Sequence, residues 1–448
     1  MLHPSRVKPL NNAPEQSGAY VLYWMQASVR SRYNHALEHA IQEANQRQLP
    51  VLVCFGLTPS FPEANLRHYA FLFEGLRDVQ KSLAARRIPL VVGLSDEPWQ
   101  WAFKWSEKAA LVVTDMGYLR IQRQWRQKLA AQVQCPLVQV ESEAVLPVEA
   151  ASQKEEFAAR TLRPKIHKLL PEFLKPLDMQ EVRFPFAEGF DSLDLSEDLL
   201  YTLPVDQSVK PSQHFQGGET EAQRTLQQFI QKKLKFYAEN RNEPALDLTS
   251  NLSPYLHYGH ISPLDIALQV SQTSHEKAIE EFLEEIIVRR ELSFNFCHFN
   301  DRYDQFEALP EWALKTMQDH AADERAFVYD LKALEAGETH DPYWNAAQKE
   351  MVLTGKMPNY LRMYWGKKVI QWSRTHEEAF DMLLHLNNKY NLDGRDPNSF
   401  TGVAWCFGKH DRPWARRPIF GTLRYMNAGG LERKFDMKRY VQKVRQMT

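Results

Sequence analysis

The sequence predicts an α/β fold in two parts: an N-terminal doubly wound parallel-sheet domain and a C-terminal all-helical domain. The first 145 residues alternate short apolar runs with amphipathic helical patterns, which is typical of strand–helix–strand units and a parallel sheet. Residues 217–448 show almost only helical spacing of apolar residues. At 448 residues the chain is also too long for one ordinary hydrophobic core.

Five apolar runs rich in β-branched and aromatic residues predict the strands of the first domain, residues 1–145. These strands are predicted at residues 20–24, 50–55, 89–92, 111–114 and 137–140. The helices between them are predicted at residues 30–46, 66–87, 99–109 and 120–133. No Gly-rich phosphate loop follows any of the five strands, which argues against a dinucleotide or triphosphate held in that way.

Residues 146–216 are predicted to connect the two domains. They contain seven prolines and little periodicity, apart from a helical piece at residues 157–170. The second domain, residues 217–448, is predicted to be helical throughout its first part. Its helices are predicted at residues 219–237, 263–272, 275–299, 311–320, 328–336, 344–355, 359–374 and 377–391.

Composition limits the classes of protein. Hydrophobic residues make up 44% of the chain and charged residues 25%, as in soluble globular proteins. No apolar run is long enough to span a bilayer and no signal peptide opens the sequence, so we expect a cytoplasmic protein without a membrane partner. The four cysteines lack metal-ligand spacing, which favours buried thiols and no metal site.

Charge is unevenly distributed. The formal net charge is −1, yet residues 395–448 hold 12 Lys and Arg against 4 Asp and Glu, a difference of +8. Trp405, Trp414, Phe420 and Tyr425 are interleaved with these cations. Cations bind phosphates and aromatic rings stack on bases, so this region is a candidate nucleic-acid surface, with an ordinary solvated surface as the alternative.

Residues 248–254 place three hydroxyl groups and an amide at the start of a short predicted helix. Such groups, with free backbone N–H donors, suit a pyrophosphate, although an ordinary helix cap is the alternative reading.

Several longer motifs are distributed along the chain. They are Y-V-L-Y-W-M-Q-A-S (20–28), S-N-L-S-P-Y-L-H-Y-G (250–259), E-E-I-I-V-R-R-E-L (284–292), H-D-P-Y-W-N-A (340–346), M-Y-W-G-K-K (363–368), Y-N-L-D-G-R-D-P-N (390–398), H-D-R-P-W (410–414) and R-Y-M-N (424–427). Together they resemble class II cyclobutane pyrimidine dimer photolyases, within the photolyase and cryptochrome family. The resemblance covers most of the chain in the expected order, which makes it far more specific than any one motif.

The resemblance implies that the helical domain binds FAD and that the sheet domain carries an antenna, commonly of the deazaflavin type. It implies that Arg362 and Asp393 form an ion pair beside the flavin ring and that Asn387 lies at flavin N5. The FAD contacts implied by the matching motifs are Tyr237, Thr249, Ser250, Asn251, Leu252, Ser253, Arg362, Asn387 and Asp393.

The resemblance also implies an electron-transfer chain and a substrate pocket. Trp365 would lie nearest the flavin, Trp344 would be the relay and Trp372 the outer end; without the resemblance, all three read as core residues. Glu285, with Glu284 as the competing choice, would contact the pyrimidine dimer, and Met363 and Trp405 would form apolar walls. The implied DNA contacts are Arg241, Asn242, Arg412, Trp414 and Arg424.

Two features depart from the family pattern. Arg289 stands where many photolyases have a second tryptophan walling the pocket, and the segment between Trp405 and Trp414 is one residue shorter than expected. Both departures concern the lesion pocket rather than the flavin site.

The resemblance implies a monomeric, light-driven lyase that uses reduced FAD to repair cyclobutane pyrimidine dimers flipped out of double-stranded DNA. The main alternative is a cryptochrome-like FAD photoreceptor without repair activity. A 6-4 photoproduct enzyme is disfavoured because no histidine stands where that chemistry needs one, and a flavin oxidoreductase because no pyridine-nucleotide loop is present.

Overall fold

A six-stranded sheet and a helical assembly form the two halves of the molecule. The computed structural model describes residues 2–186 and 190–447. Residues 1, 187–189 and 448, which the predicted domain limits include, lie outside the described residues. None of the helices within the described ranges has the length and apolar character needed to cross a membrane.

The sheet has the strand order β1-β6-β5-β2-β3-β4. Its strands are β1 (Val7–Pro9), β2 (Tyr20–Trp24), β3 (Val51–Leu57), β4 (Leu90–Leu94), β5 (Ala109–Asp115) and β6 (Leu137–Val140). Strands β2 to β6 run parallel to one another, as predicted, and β2, β3 and β5 are buried along their whole length. Burial on both faces explains their unbroken apolar sequences.

The sequence analysis did not predict β1. This strand pairs antiparallel with β6 at one edge of the sheet. The buried Arg6 just before it donates hydrogen bonds to the carbonyl oxygens of Glu141 (3.0 Å), Ala144 (3.1 Å) and Val145 (2.5 Å). Long-range pairing therefore positions β1, since three residues carry no periodicity of their own.

Helices cover both faces of the sheet and continue through residues 146–216. Leu162 and Ile166 of this connector are fully buried against the helical domain, and Leu200 packs on the sheet domain. The helices up to this point are α1 (His35–Arg47), α2 (Leu66–Ala85), α3 (Pro98–Ser106), α4 (Arg120–Ala130), α5 (Val148–Ala151), α6 (Ala159–Phe173) and α7 (Glu197–Thr202).

The second domain is helical, as predicted. Its helices are α8 (Glu219–Gln228), α9 (Leu234–Asn240), α10 (Ser253–His257), α11 (Pro263–Ser271), α12 (Glu276–Leu283), α13 (Arg290–Phe299), α14 (Glu311–Asp319), α15 (Leu331–Ala336), α16 (Pro342–Thr354), α17 (Asn359–Trp372), α18 (His376–Tyr390), α19 (Pro397–Cys406), α20 (Ala428–Glu432) and α21 (Met437–Arg445). Two of the long helices predicted here are interrupted by π-helical turns, Phe229–Lys233 and Glu284–Arg289.

Candidate active site

A cavity of about 580 Å³ lies inside the helical domain. Its volume is in the range of sites that enclose large organic ligands. It brings together side chains that are far apart in sequence. Of the residues singled out from the sequence, its lining includes Tyr237, Arg241, Asn242, Thr249, Ser250, Leu252, Ser253, Glu285, Arg362, Met363, Trp365, Asn387, Asp393, Trp405 and Arg424.

The loop before α10 supplies one polar wall. Thr249, Ser250 and Ser253 line the cavity here, whereas Asn251, predicted with them, is not part of its lining. Asn251 adopts a left-handed backbone conformation (φ 59°), and its carboxamide oxygen accepts a hydrogen bond from Lys356 Nζ at 2.7 Å. The hydroxyl group of Ser253 is buried in this wall beside Asp393, and its hydrogen bond helps to lower the pKa of that carboxyl group. A hydroxyl group can donate one hydrogen bond and accept others, so this wall suits a polar ligand.

Lys356 belongs to the site, although the sequence analysis did not single it out. Gly355 ends α16 in the left-handed region (φ 87°), and the chain turns there toward α17. Burial lowers the pKa of Lys356 to about 8, while the charge of Asp393 opposes that shift. A buried ammonium group in a cavity wall is suited to an anion.

An ion pair forms the centre of the cavity. Arg362 Nη2 on α17 lies 2.6 Å and 2.9 Å from the two carboxylate oxygens of Asp393. Burial raises the pKa of Asp393, but the charge of Arg362 and the hydrogen bonds from Ser253 and Arg362 outweigh it, so the pKa is lowered overall. The carboxylate therefore stays ionised and keeps the guanidinium paired.

Asn387 is buried near the end of α18 and lines the cavity. Its amide group donates to Ser399 Oγ, and its Oδ1 accepts a hydrogen bond from Asn391 Nδ2 at 2.8 Å. With both ends of the carboxamide engaged, its orientation is fixed.

Three tryptophans lead away from the cavity. Trp365 lines it, the ring of Trp344 lies parallel to Trp365 with centroids 6.3 Å apart, and Trp372 meets Trp344 at 5.8 Å. Asp341 caps α16 by accepting the backbone N–H of Trp344 at 3.0 Å, which fixes the start of that helix. Beyond Trp372 lies Tyr329, 5.4 Å away.

The two candidate carboxylates, Glu284 and Glu285, both belong to the π-helical turn Glu284–Arg289 but have different surroundings. Glu285 lines the cavity and accepts a hydrogen bond from Arg241 Nη1 at 2.7 Å. Glu284 does not line the cavity and instead pairs with Arg163 and Arg289. Of the two carboxylates, the geometry favours Glu285 for contact with a bound substrate.

A cationic aromatic cluster stands beside the cavity. The Trp414 ring, with 40% of the residue exposed, has the guanidinium carbons of Arg412 and Arg424 at 5.3 Å and 5.1 Å from its centroid. Arg424 lines the cavity, whereas Arg412 and Trp414 lie outside its lining. Such a cluster suits nucleic acid, because cations and rings are both presented at the surface.

A second, smaller cavity of about 130 Å³ lies beyond the carboxyl ends of β2 and β3, where ligands bind in parallel sheets. Trp24, Phe55 and Trp125 line it from the sheet domain, and Tyr258 and Arg395 from the helical domain. His257 lines both cavities and its Nδ1 lies 3.2 Å from Asp396 Oδ2. The two cavities therefore share one wall.

Comparison with known proteins shows which proteins share this architecture. The family model described as DNA photolyase matches residues 21–182. The crystal structure of an archaeal photolyase from Sulfolobus tokodaii with two FAD molecules superposes with a TM-score of 0.73, at 15% identity, over 94% of this chain and 89% of that chain. The chain thus has the fold of photolyase structures.

Relatives of higher identity define the family. A deoxyribodipyrimidine photo-lyase of Methanothermobacter thermautotrophicus is 50% identical, with 99% of each chain covered. One from Potorous tridactylus is 39% identical over 96% of this chain and 82% of that protein. The chain belongs to the deoxyribodipyrimidine photo-lyase family, which confirms the predicted family and fold class.

Proposed function

We propose that this protein is a class II photolyase that repairs cyclobutane pyrimidine dimers in ultraviolet-damaged DNA by light-driven electron transfer from reduced FAD. The observation that carries the proposal is the convergence on one cavity of the Arg362–Asp393 pair, the wall formed by Glu285 and Met363, and the tryptophan path that starts at Trp365. Relatives named deoxyribodipyrimidine photo-lyase at up to 50% identity support the same activity.

The cavity fits FAD. The hydroxyl groups of Thr249, Ser250 and Ser253 and the ammonium group of Lys356 would hold the pyrophosphate and ribose, with Tyr237 and Leu252 packing beside them. Arg362 would place its charge near the ring, and the fixed carboxamide of Asn387 would offer it a hydrogen bond. When bound and reduced, FAD would on illumination supply one electron to the dimer, and this electron would return after both bonds of the cyclobutane ring have broken, so that no net redox change occurs.

The protein's own residues then bind and position the substrate. Glu285, held by Arg241, presents a carboxyl group to the dimer, and Met363 and Trp405 offer apolar surface to its rings. A dimer is a favourable base-flipping substrate because its distorted pairing lowers the cost of extrusion. Arg412, Trp414 and Arg424 would bind the DNA around the gap left in the duplex.

Repair is tested with a double-stranded oligonucleotide that carries one cyclobutane thymine dimer. The reduced protein should restore the two thymines under blue light and not in darkness. FAD binding and photoreduction without repair would instead assign a cryptochrome-like photoreceptor, and absence of FAD binding would overturn the proposal.

The smaller cavity is our proposed site for an antenna of the deazaflavin type. Its aromatic lining suits a planar ring, and its shared wall places it beside the larger cavity. Reconstitution with a deazaflavin should add a band to the action spectrum of repair. An Ala64→Phe variant, which fills the cavity, should abolish that band and leave FAD content unchanged.

Double-stranded DNA is the proposed substrate form, a monomer the proposed state and the cytoplasm the proposed location. The four buried free thiols suit a reducing compartment. Sedimentation velocity with and without damaged duplex tests the oligomeric state.

A further inference from the structure

Arg289 occupies the last position of the π-helical turn and lines the large cavity. Its guanidinium carbon lies 5.5 Å from the centroid of the Trp405 ring. The side chain is one-third exposed (33%). This part of the cavity wall is therefore formed by a cation packed on Trp405.

The charge of Arg289 is held in place by a carboxylate outside the cavity lining. Arg289 Nε donates to Glu284 Oε1 at 2.9 Å. Arg163 on α6 donates to both oxygens of the same carboxylate, at 2.9 Å and 2.6 Å. One edge of the Arg289 guanidinium is thus anchored, and its orientation is set before any substrate arrives.

The terminal nitrogens of Arg289 form no hydrogen bond within residues 2–186 and 190–447. A guanidinium carries five N–H donors, and only the one on Nε is engaged. Four N–H donors of Arg289 thus remain available in the cavity wall. The Trp405 ring beside them already provides apolar packing. Planar donor pairs of this kind match carbonyl and phosphate oxygens.

We propose that Arg289 donates hydrogen bonds to acceptor oxygens on the flipped dinucleotide. This role rests on the proposed function. The acceptors belong to the pyrimidine carbonyl groups or to the phosphate that links the two nucleotides. Thymine presents an acceptor oxygen at C4, whereas cytosine presents an amino donor there. Arg289 is thus a residue that contacts the substrate through donors that a tryptophan at this position could not replace, and it determines specificity if the acceptors are carbonyl groups.

The test uses binding in darkness, so that repair does not deplete the probe. Duplexes that contain a thymine–thymine dimer, a thymine–cytosine dimer or no damage are titrated by fluorescence anisotropy at several salt concentrations. The variants are Arg289→Gln, Arg289→Lys and Arg289→Trp. The control is Arg302→Gln, which removes one exposed charge elsewhere. FAD content and circular dichroism check that each variant is folded.

Arg289→Gln should weaken binding of the thymine–thymine dimer about tenfold and leave undamaged duplex within about twofold. If the acceptors are carbonyl groups, the preference for thymine–thymine over thymine–cytosine also falls and the salt dependence is unchanged. If the acceptor is the phosphate, both dimers weaken equally and the salt slope drops by about one in Arg289→Gln but not in Arg289→Lys.

Unchanged dimer binding in Arg289→Gln, or equal weakening of damaged and undamaged duplex as in Arg302→Gln, would overturn the inference. Wild-type protein that shows no preference for damaged DNA would overturn the proposed function instead, so the two failures are distinguishable.

Discussion

Trp344 and Trp365 stack with their ring planes 7° apart, and Trp344 Nε1 donates a 3.0 Å hydrogen bond to the backbone carbonyl oxygen of Trp365. Trp365 Nε1 in turn donates to Gln348 Oε1 at 2.9 Å. Both indoles are buried and fully paired, so their spacing is set by packing and by hydrogen bonds together.

Replacing Trp365 with Phe should therefore block photoreduction of FAD, because it removes the ring that joins the cavity to the stack. Repair by chemically reduced protein should persist. The measurement is the absorbance of FAD during illumination with an external reductant. Trp105→Phe is the matched control, since this indole lies in the sheet domain and its N–H is already unpaired. Loss of repair as well as photoreduction in Trp365→Phe, with FAD retained, would contradict the role of the stack.

Replacing Glu285 with Gln should lower the repair yield per absorbed photon and leave FAD content unchanged. The carboxylate lines the cavity, and Arg241 holds it. Glu281→Gln is the control: its carboxylate lies 3.3 Å from Arg241 Nε but outside the cavity lining. Equal losses in the two variants would mean that Glu285 acts only by holding Arg241.

Replacing Lys356 with Met should weaken FAD binding far more than riboflavin binding, because only FAD carries the pyrophosphate. Lys367→Met is the control: burial also lowers the pKa of Lys367 to about 8, but this lysine does not line the cavity, and its ammonium group bonds the backbone carbonyl of Cys406. The dissociation constants of FAD and of riboflavin, measured by fluorescence quenching for the wild type and both variants, test this prediction. A parallel loss of riboflavin affinity would contradict a phosphate contact.

Lys356 also predicts how FAD affinity depends on pH. Burial lowers its pKa to about 8, so the charged form is lost as pH rises through that value. FAD affinity should fall over the same range in the wild type. This decrease of FAD affinity with rising pH should be absent in the Lys356→Arg variant, because the guanidinium group of arginine stays protonated.

Glu291 predicts a pH dependence of stability. Burial raises its pKa to about 8 against an ordinary value of 4.5, although the amides of Val145 and Leu146 bond one oxygen. The folded state then binds more protons than the unfolded state between these values, so stability falls as pH rises from about 5 to 8. Glu141, with its pKa raised by burial to about 7, contributes in the same direction.

The Glu291→Gln substitution should reduce this loss of stability with rising pH, and the variant should be more stable than the wild type at pH 9. Thermal unfolding of the FAD-free protein between pH 6 and 9 measures the effect. Glu239→Gln, at an exposed carboxylate on α9, is the control. Parallel wild-type and Glu291→Gln curves would show that Glu291 is ionised in the folded protein.

The sequence predicted the elements whose pattern is local. Strand β2 was predicted with its observed bounds because its apolar run is continuous, and α18 within one residue at each end because its apolar residues recur at helical spacing. The π-helical turns were not predicted, since a single turn of this kind is too short to set a periodicity of its own. Both candidate carboxylates lie in the turn at Glu284–Arg289, and only Glu285 lines the cavity.

The candidate site was predictable mainly through motifs. Arg362 and Asp393 lie 31 positions apart in the sequence, so only the family resemblance predicted the ion pair that the structure shows. Lys356 was missed because a lone lysine after a helix-ending glycine carries no periodic or motif signal. The packing of Arg289 on Trp405 depends on side chains from three separate segments, which no local pattern encodes.

Strand β1 has a consequence for handling the protein. It covers the outer edge of β6, and Pro9 at its end lacks the N–H that a further strand would need. Open strand edges template aggregation. Deleting residues 2–9 would uncover β6 and also remove the Arg6 side chain bonded to residues 141–145. Truncations or fusions made at this end should therefore preserve β1, or insoluble material will form before any light-dependent assay begins.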